Sequence, residues 1–122
     1  MISCIVVDDD VNTTKVFADI LELIGLHVMG QGFSGSEAVC LYKEHHPDVV
    51  FIDLLMPKTD GFYAIQKIQQ IDSTAKIVAV TANLTLETAQ KLEDLKISAI
   101  IYKPFSIHEI RKVLEQYNIS PP

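Results

Sequence analysis

The sequence predicts an α/β fold in which a doubly wound, five-stranded parallel sheet, strand order 2-1-3-4-5, lies between five helices. Two observations carry this. Short apolar runs alternate five times with stretches of helical periodicity, and only a few residues join them. The runs are continuously apolar, so both faces of each strand are covered, as in a parallel sheet between helix layers. Five units are too few to close an eight-fold barrel, which leaves the doubly wound sheet. An antiparallel α+β domain is the alternative, and the continuous runs disfavour it.

Met1 to Val7, with Ile2, Ile5, Val6 and Val7, reads as a buried strand that stops at Asp8-Asp9-Asp10. From Val11 to Ile24 the apolar residues Val16, Phe17, Ile20, Leu21 and Ile24 recur at helical steps. Gly25 sits where a left-handed cap ends that helix. His27 to Gly32 is a weaker strand, interrupted by two glycines. Ser34 and Glu37 form a capping box for a helix to about His45, which His46-Pro47 closes. Val49–Ile52 is a fully buried strand that delivers Asp53 into a loop marked by Pro57 and Gly61.

Gly61 to Ile71 reads as a helix with Ile65, Ile68 and Ile71 along one stripe. Ile77 to Val80 is a buried strand ending at Thr81. Leu84, Leu86, Ala89, Leu92 and Leu95 mark the fourth helix, capped by Asn83 or Thr85. Ala99 to Tyr102 is the fifth strand, ending at Lys103-Pro104. Ser106 and Glu109 box the last helix, which carries Ile107, Ile110, Val113, Leu114 and Tyr117. Asn118 to Pro122 is expected to fray.

The bulk numbers narrow the function. At 122 residues the chain is one domain with a real core. Hydrophobic content of 48% against 21% charged residues excludes disorder. A net charge of −6 argues against a nucleic-acid surface and towards a cation in an acidic cleft. Cys4 and Cys40 fit a reducing compartment and read as small core or boundary residues. His27, His45, His46 and His108 show no metal spacing and read as solvated or boundary residues. No apolar run approaches membrane-spanning length, and the first seven residues are too short for a signal peptide. A cytoplasmic location is expected.

One edge of the predicted sheet collects the chemistry. The first strand ends in Asp8, Asp9 and Asp10, the third in Asp53, the fourth in Thr81 and the fifth in Lys103. Neighbouring strands lie about 4.8 Å apart, so Asp9 and Asp53 can share one ion. Crowded carboxylates repel unless a cation neutralises them, and their oxygen-only character suits Mg²⁺ or Mn²⁺. Such an ion is half of a phosphoryl-transfer site, with Lys103 as a second positive charge and Thr81 as a hydroxyl for a phosphoryl oxygen. A carboxylate can itself be the nucleophile. No glycine-rich nucleotide loop is present, so ATP bound here is not the expected donor.

Four pieces now carry a resemblance: Val6-Val7-Asp8-Asp9, the Asp53 loop with Met56-Pro57 and Asp60-Gly61, Val80-Thr81-Ala82, and Lys103-Pro104-Phe105. In this order, on these elements, the chain resembles a response-regulator receiver domain of two-component signalling, of the chemotaxis-regulator kind. The resemblance covers nearly the whole chain and implies a single flavodoxin-like receiver, residues 1–122, that is a phosphoacceptor and not an enzyme with a separate substrate. It implies that Asp53 accepts a phosphoryl group from a sensor histidine kinase or phosphotransfer protein. It also implies that Asp9, Asp53 and the Leu55 carbonyl ligate Mg²⁺, with Asp8 acting largely through water. Lys103 is then expected to pair with the phosphoryl group, Thr81 to move towards it, and the Lys103–Pro104 bond to be cis. Output is expected through the fourth helix, fifth strand and fifth helix, by protein contact, with no nucleic acid or membrane and with room for a dimer formed on phosphorylation.

Two other readings use the same residues. A haloacid-dehalogenase-like phosphatase would take Asp8 as nucleophile and Asp10 as general acid, but no acidic pair follows Lys103 and Asp53 is left unexplained. A degenerate receiver used only for docking is disfavoured by the retained Asp8, Asp9, Asp53, Thr81 and Lys103. Asp10 reads as a helix-start acid. The chain departs from the family pattern at Ile100, where an aromatic switch is usual, and at Lys96-Ile97, where Gly-Ala is usual. Tyr102 shares a strand face with Ile100 and is a candidate substitute, although a packed tyrosine is the simpler reading. Leu55 and Asn83 stand where the family tunes attack by water, and an apolar Leu55 predicts a long-lived phosphoryl group.

Overall fold

The computed structural model describes residues 2–56 and 61–119. The order is β1 (Ser3–Val7), α1 (Val11–Ile24), β2 (His27–Gly32), α2 (Gly35–His45), β3 (Val49–Asp53), α3 (Gly61–Ile71), β4 (Lys76–Thr81), α4 (Leu86–Asp94), β5 (Ile100–Tyr102) and α5 (Ile107–Gln116). All strand pairs are parallel and the sheet order is β2-β1-β3-β4-β5, as the sequence predicts. Pro57 and Asp60, part of the predicted loop after Asp53, lie outside the described residues.

Strand pleating divides the core in two. Cys4, Val6, Val49, Phe51, Val78, Val80 and Ile101 face α1 and α5, where they meet Phe17, Leu21, Ile110 and Leu114. Ile5, Val7, Val50, Ile52, Ile77 and Ala79 face α2, α3 and α4, against Tyr42, Ile65, Ile68 and Leu92. Continuous apolar runs follow in the central strands, since nearly every residue of β1, β3 and β4 meets one helix layer or the other. Edge strand β2 carries an irregularity opposite Cys4 and Ile5, a device that discourages pairing with a foreign strand.

The caps follow the local signals. Gly25 adopts φ 114°, and its N–H reaches Leu21 and Glu22 carbonyls. Ser34, Thr85 and Ser106 each accept the backbone N–H three residues on, so Thr85, not Asn83, caps α4. Several apolar residues that the periodicity counted towards the core point outward instead: Val16, Ile71, Ile107 and above all Leu86, which is 92% exposed. Leu86 opens α4, before that helix has met its packing partner at Leu92. Ile119 in the expected frayed tail is buried against Leu114, to whose carbonyl its N–H donates at 2.7 Å. An apolar residue just past a helix end can fold back on the core, and this one does; residues 120–122 lie outside the described set.

Candidate functional site

The carboxyl ends of β1, β3, β4 and β5 converge because parallel strands all end at one edge. Asp8 follows β1 directly, and its N–H extends the strand ladder to the Gly32 carbonyl at 3.1 Å. Its carboxylate is buried: Oδ1 accepts the Asp10 N–H at 2.9 Å, and Oδ2 accepts Lys103 Nζ at 2.5 Å. Asp53 is the last residue of β3 and only 7% exposed, with Oδ2 3.4 Å from Lys103 Nζ. The chain turns back after it, so that the Leu55 N–H lies 3.5 Å from Asp53 Oδ1. Asp9 is exposed and makes no side-chain hydrogen bond or ion pair among the described residues. Even so, Asp8, Asp9 and Asp53 each bring one oxygen within 4.8 Å of the others.

Lys103 reaches this cluster from beyond β5. Its N–H donates to the Thr81 carbonyl at 2.8 Å, which continues the β4–β5 pairing, and the Lys103–Pro104 peptide is cis as expected. Thr81 is buried. Its hydroxyl is engaged with the backbone of Asn83, 3.3 Å from both the carbonyl and the N–H. Gly61 brings α3 against the strand end: its N–H donates to the Leu54 carbonyl at 3.0 Å, and a Cβ there would collide with the Asp53 carbonyl oxygen.

Among the described residues the site holds more carboxylates than cations. Burial pushes the Asp53 carboxyl above its usual range; Lys103 pulls it back, while Asp8 pushes in the same direction as burial. Burial alone would depress the Lys103 ammonium. The hydrogen bond to Asp8 and the charges of Asp53 and Asp8 outweigh it, so Lys103 stays above its usual value and protonated at neutral pH. Asp10 caps α1 by accepting the Thr13 N–H at 3.0 Å, and this bond is the main reason its carboxyl sits below the usual range. Its helix-start role stands, and the general-acid role needed by the dehalogenase-like reading loses its residue.

Other expectations fare differently. Cys4 is buried, and burial pushes its thiol up to about 12, whereas Cys40 is exposed and not a core or boundary residue. Cys40 lies on the outer face of α2, in line with exposed Ser36 and Glu37. Tyr102 is 48% exposed and so is not packed; Ile100, on the same strand face, sits half-buried against the α4 layer. Two features escaped the sequence reading. Thr14 is a fully buried polar residue on α1, and its signal was a hydroxyl lying in register with Phe17, Ala18 and Leu21 on the buried stripe. The second is a set of exposed apolar residues: Val11, Leu86 and Ile107 at helix starts, Tyr102 at a strand end and Leu55 two residues past one, all towards the site's edge of the sheet.

Residues 4–115 match the family model described as the response regulator receiver domain. The chain belongs to that family. This receiver is 34% identical to the chemotaxis protein CheY of Bacillus subtilis over 116 residues, covering 93% of this chain and 92% of that protein. It is 32% identical to the probable C4-dicarboxylate response regulator DctR of Priestia megaterium over 93% of its own length, but spans only 50% of DctR. Among solved structures, the CheX–CheY–BeF3–Mg complex from Borrelia burgdorferi superposes with a TM-score of 0.90 at 25% identity, covering 98% of this chain and 90% of that one. Family and fold are those that the sequence predicts. No helix among the described residues is long and apolar enough to cross a membrane.

Proposed function

We propose that this receiver, taken as one domain over residues 1–122, is a phosphorylation-activated response regulator. In this reading Asp53 accepts a phosphoryl group from a histidine kinase or phosphotransfer protein in the cytoplasm. One observation carries it: a single protonated lysine spans the buried Asp8 and Asp53 carboxylates, and Asp9 lies within reach of both. Among the described residues three carboxylates face one ammonium, which leaves room for a cation. The donors are oxygens only, with neither thiolate nor imidazole among them, which fits Mg²⁺, or Mn²⁺, better than a softer metal. Asp9, Asp53 and the Leu55 carbonyl would hold it, with Asp8 acting through water. When bound, the ion offsets charge on the transferring phosphoryl oxygens.

The chain's own residues then divide the work. An Asp53 carboxylate oxygen attacks phosphorus, the bond to the donor's imidazole nitrogen breaks with its electron pair left on the ring, and Asp53 becomes an acyl phosphate. Lys103 turns from the Asp53 carboxylate to the incoming phosphoryl oxygens. Thr81 exchanges its bonds to Asn83 for one to the phosphoryl group. Because Lys103 N–H is tied to the Thr81 carbonyl, both residues move on one pair of strands, and α4, β5 and α5 carry the change to a protein target. The exposed apolar residues towards this edge give a donor or target a surface that excludes water around the site.

The test is binding of beryllofluoride with Mg²⁺, followed by fluorine NMR and backbone amide shifts. Wild type is expected to bind and to shift Thr81, Lys103 and β5; Asp53→Asn is expected to do neither. Absence of a complex at Asp53 in wild type would falsify the reading.

Leu55 sets the duration of the signal. It is 62% exposed and stands two residues after the phosphoacceptor, with no group to orient an attacking water. Phosphorylated wild type is therefore expected to keep its label for minutes without a phosphatase. Leu55→Asn should shorten that lifetime by about tenfold, a modest share of what a positioned polar group contributes to proton transfer. Release of the wild-type label within seconds would contradict the assignment.

A further inference from the structure

We infer that Thr14 is a positioning residue for the divalent-cation site, acting through the backbone on either side of Asp9; the inference rests on the metal-assisted reading above. Thr14 lies one helical turn into α1 and is fully buried, with 0% exposure. Its hydroxyl is 3.0 Å from the Asp8 carbonyl and 2.8 Å from the Asp10 carbonyl, so one proton is shared between two acceptors. The Asp10 contact alone is an ordinary bond from a threonine to the carbonyl four residues before it. The Asp8 contact is not, because it reaches six residues back, out of the helix and onto the end of β1.

These two carbonyls bracket Asp9. Among the described residues the Asp9 side chain makes no bond of its own, and its carboxylate is placed by the backbone that carries it. That backbone is held by the Thr14 hydroxyl at Asp8 and Asp10, and by the Asp10 N–H on Asp8 Oδ1 at 2.9 Å. Asp9 is thereby placed to within one cation's reach of Asp53 before any ion arrives. Solvent cannot easily take over this role. The cavity beside the hydroxyl, among Val6, Asp8, Thr14, Phe17, Phe51 and Phe105, has a volume of about 10 Å³, at the lower limit for one water.

Space and hydrogen bonding therefore predict an order among substitutions. Thr14→Ser keeps the hydroxyl. Thr14→Ala removes it but opens room for a water, whereas Thr14→Val removes it and keeps the space filled. Mg²⁺ affinity is measured by calorimetry on the folded protein, well below its melting temperature. It is expected to stay within about twofold of wild type in Thr14→Ser and to fall by about tenfold in Thr14→Val, as for the loss of a partner that orients a metal ligand. Thr14→Ala should lie between the two. The Asp9 amide resonance should move in metal-free Thr14→Val and not in metal-free Thr14→Ser. A folded Thr14→Val protein with wild-type affinity and an unmoved Asp9 amide would leave Thr14 a packing residue and overturn the inference. Should Thr14→Val not fold, Thr14→Ala decides by the same two measurements. Asp53→Asn is the control. If wild type binds Mg²⁺ no better than this variant, the metal reading fails first, and the result is distinguishable from a Thr14 that does not matter.

Discussion

Replacing Asp53 by Asn is expected to abolish phosphoryl acceptance and, at the same time, to stabilise the metal-free protein. The first effect follows from the loss of the proposed nucleophile. Uptake of label from a small acyl-phosphate donor should fall by roughly 1,000-fold or more. The second follows from the environment of the carboxylate, which burial and Asp8 hold above its usual range against the opposing pull of Lys103. Since the folded value lies above the unfolded one, this group's favourable contribution is complete below the ordinary carboxylate value near 3.8. It is lost as pH rises through the folded value. At neutral pH the metal-free wild type therefore bears the full cost of a buried charge, and the Asp53→Asn variant does not. A gain on the order of 1 kcal/mol, or a rise in Tm of about 3–6 °C, is expected for a domain of this size. Thermal melts in chelator should also show stability rising more steeply with pH on the acid side in Asp53→Asn than in wild type, where the raised Asp53 carboxyl offsets part of the rise. Equal melting temperatures at neutral pH would contradict the electrostatic account without touching the phosphoacceptor role.

The second large effect belongs to Gly61→Ala. The contacts a Cβ would make are backbone atoms, the Asp53 carbonyl oxygen and, at 2.8 Å, the Leu54 Cα, and neither can swing aside as a side chain would. Either α3 withdraws from the sheet or the end of β3 shifts. A loss of about 2–3 kcal/mol is expected, read as a Tm lower by roughly 10 °C. Phosphorylation should drop as well, by about 100-fold at a temperature where the variant is folded, because misplacing a reacting atom by about 1 Å costs that much. A variant that melts like wild type would show that the start of α3 yields at little cost.

Much of the fold and the site was legible because both depend on where apolar runs stop. Val49–Ile52 had to be a strand buried on both faces, and whatever followed it had to emerge at the same edge as the residues after Val7 and Val80. Asp8, Asp9, Asp53, Thr81 and Lys103 were readable for that reason alone. What escaped depends on side-chain direction within an element. Periodicity could not tell that Leu86 faces solvent while Leu92 faces the core, nor that Ile119 folds back beneath α5. Thr14 escaped because a threonine on a buried stripe resembles a tolerated small residue until its two acceptors are seen. The outward position of Tyr102 is equally invisible in sequence, since β5 is an edge strand whose exposure depends on how far α4 reaches over it.

That edge has a mechanical meaning. β5 has three residues and hydrogen-bonds to β4 alone, while β3, which holds Asp53, is buried along its whole length and flanked on both sides. Asp53 thus ends a strand paired on both sides, and Lys103 follows one paired on a single side. In the proposed reaction, where both are drawn to one phosphoryl group, the strand with fewer partners is expected to give first. On that proposal the domain would act as a spring clamped at one end, its free end the surface offered to a partner.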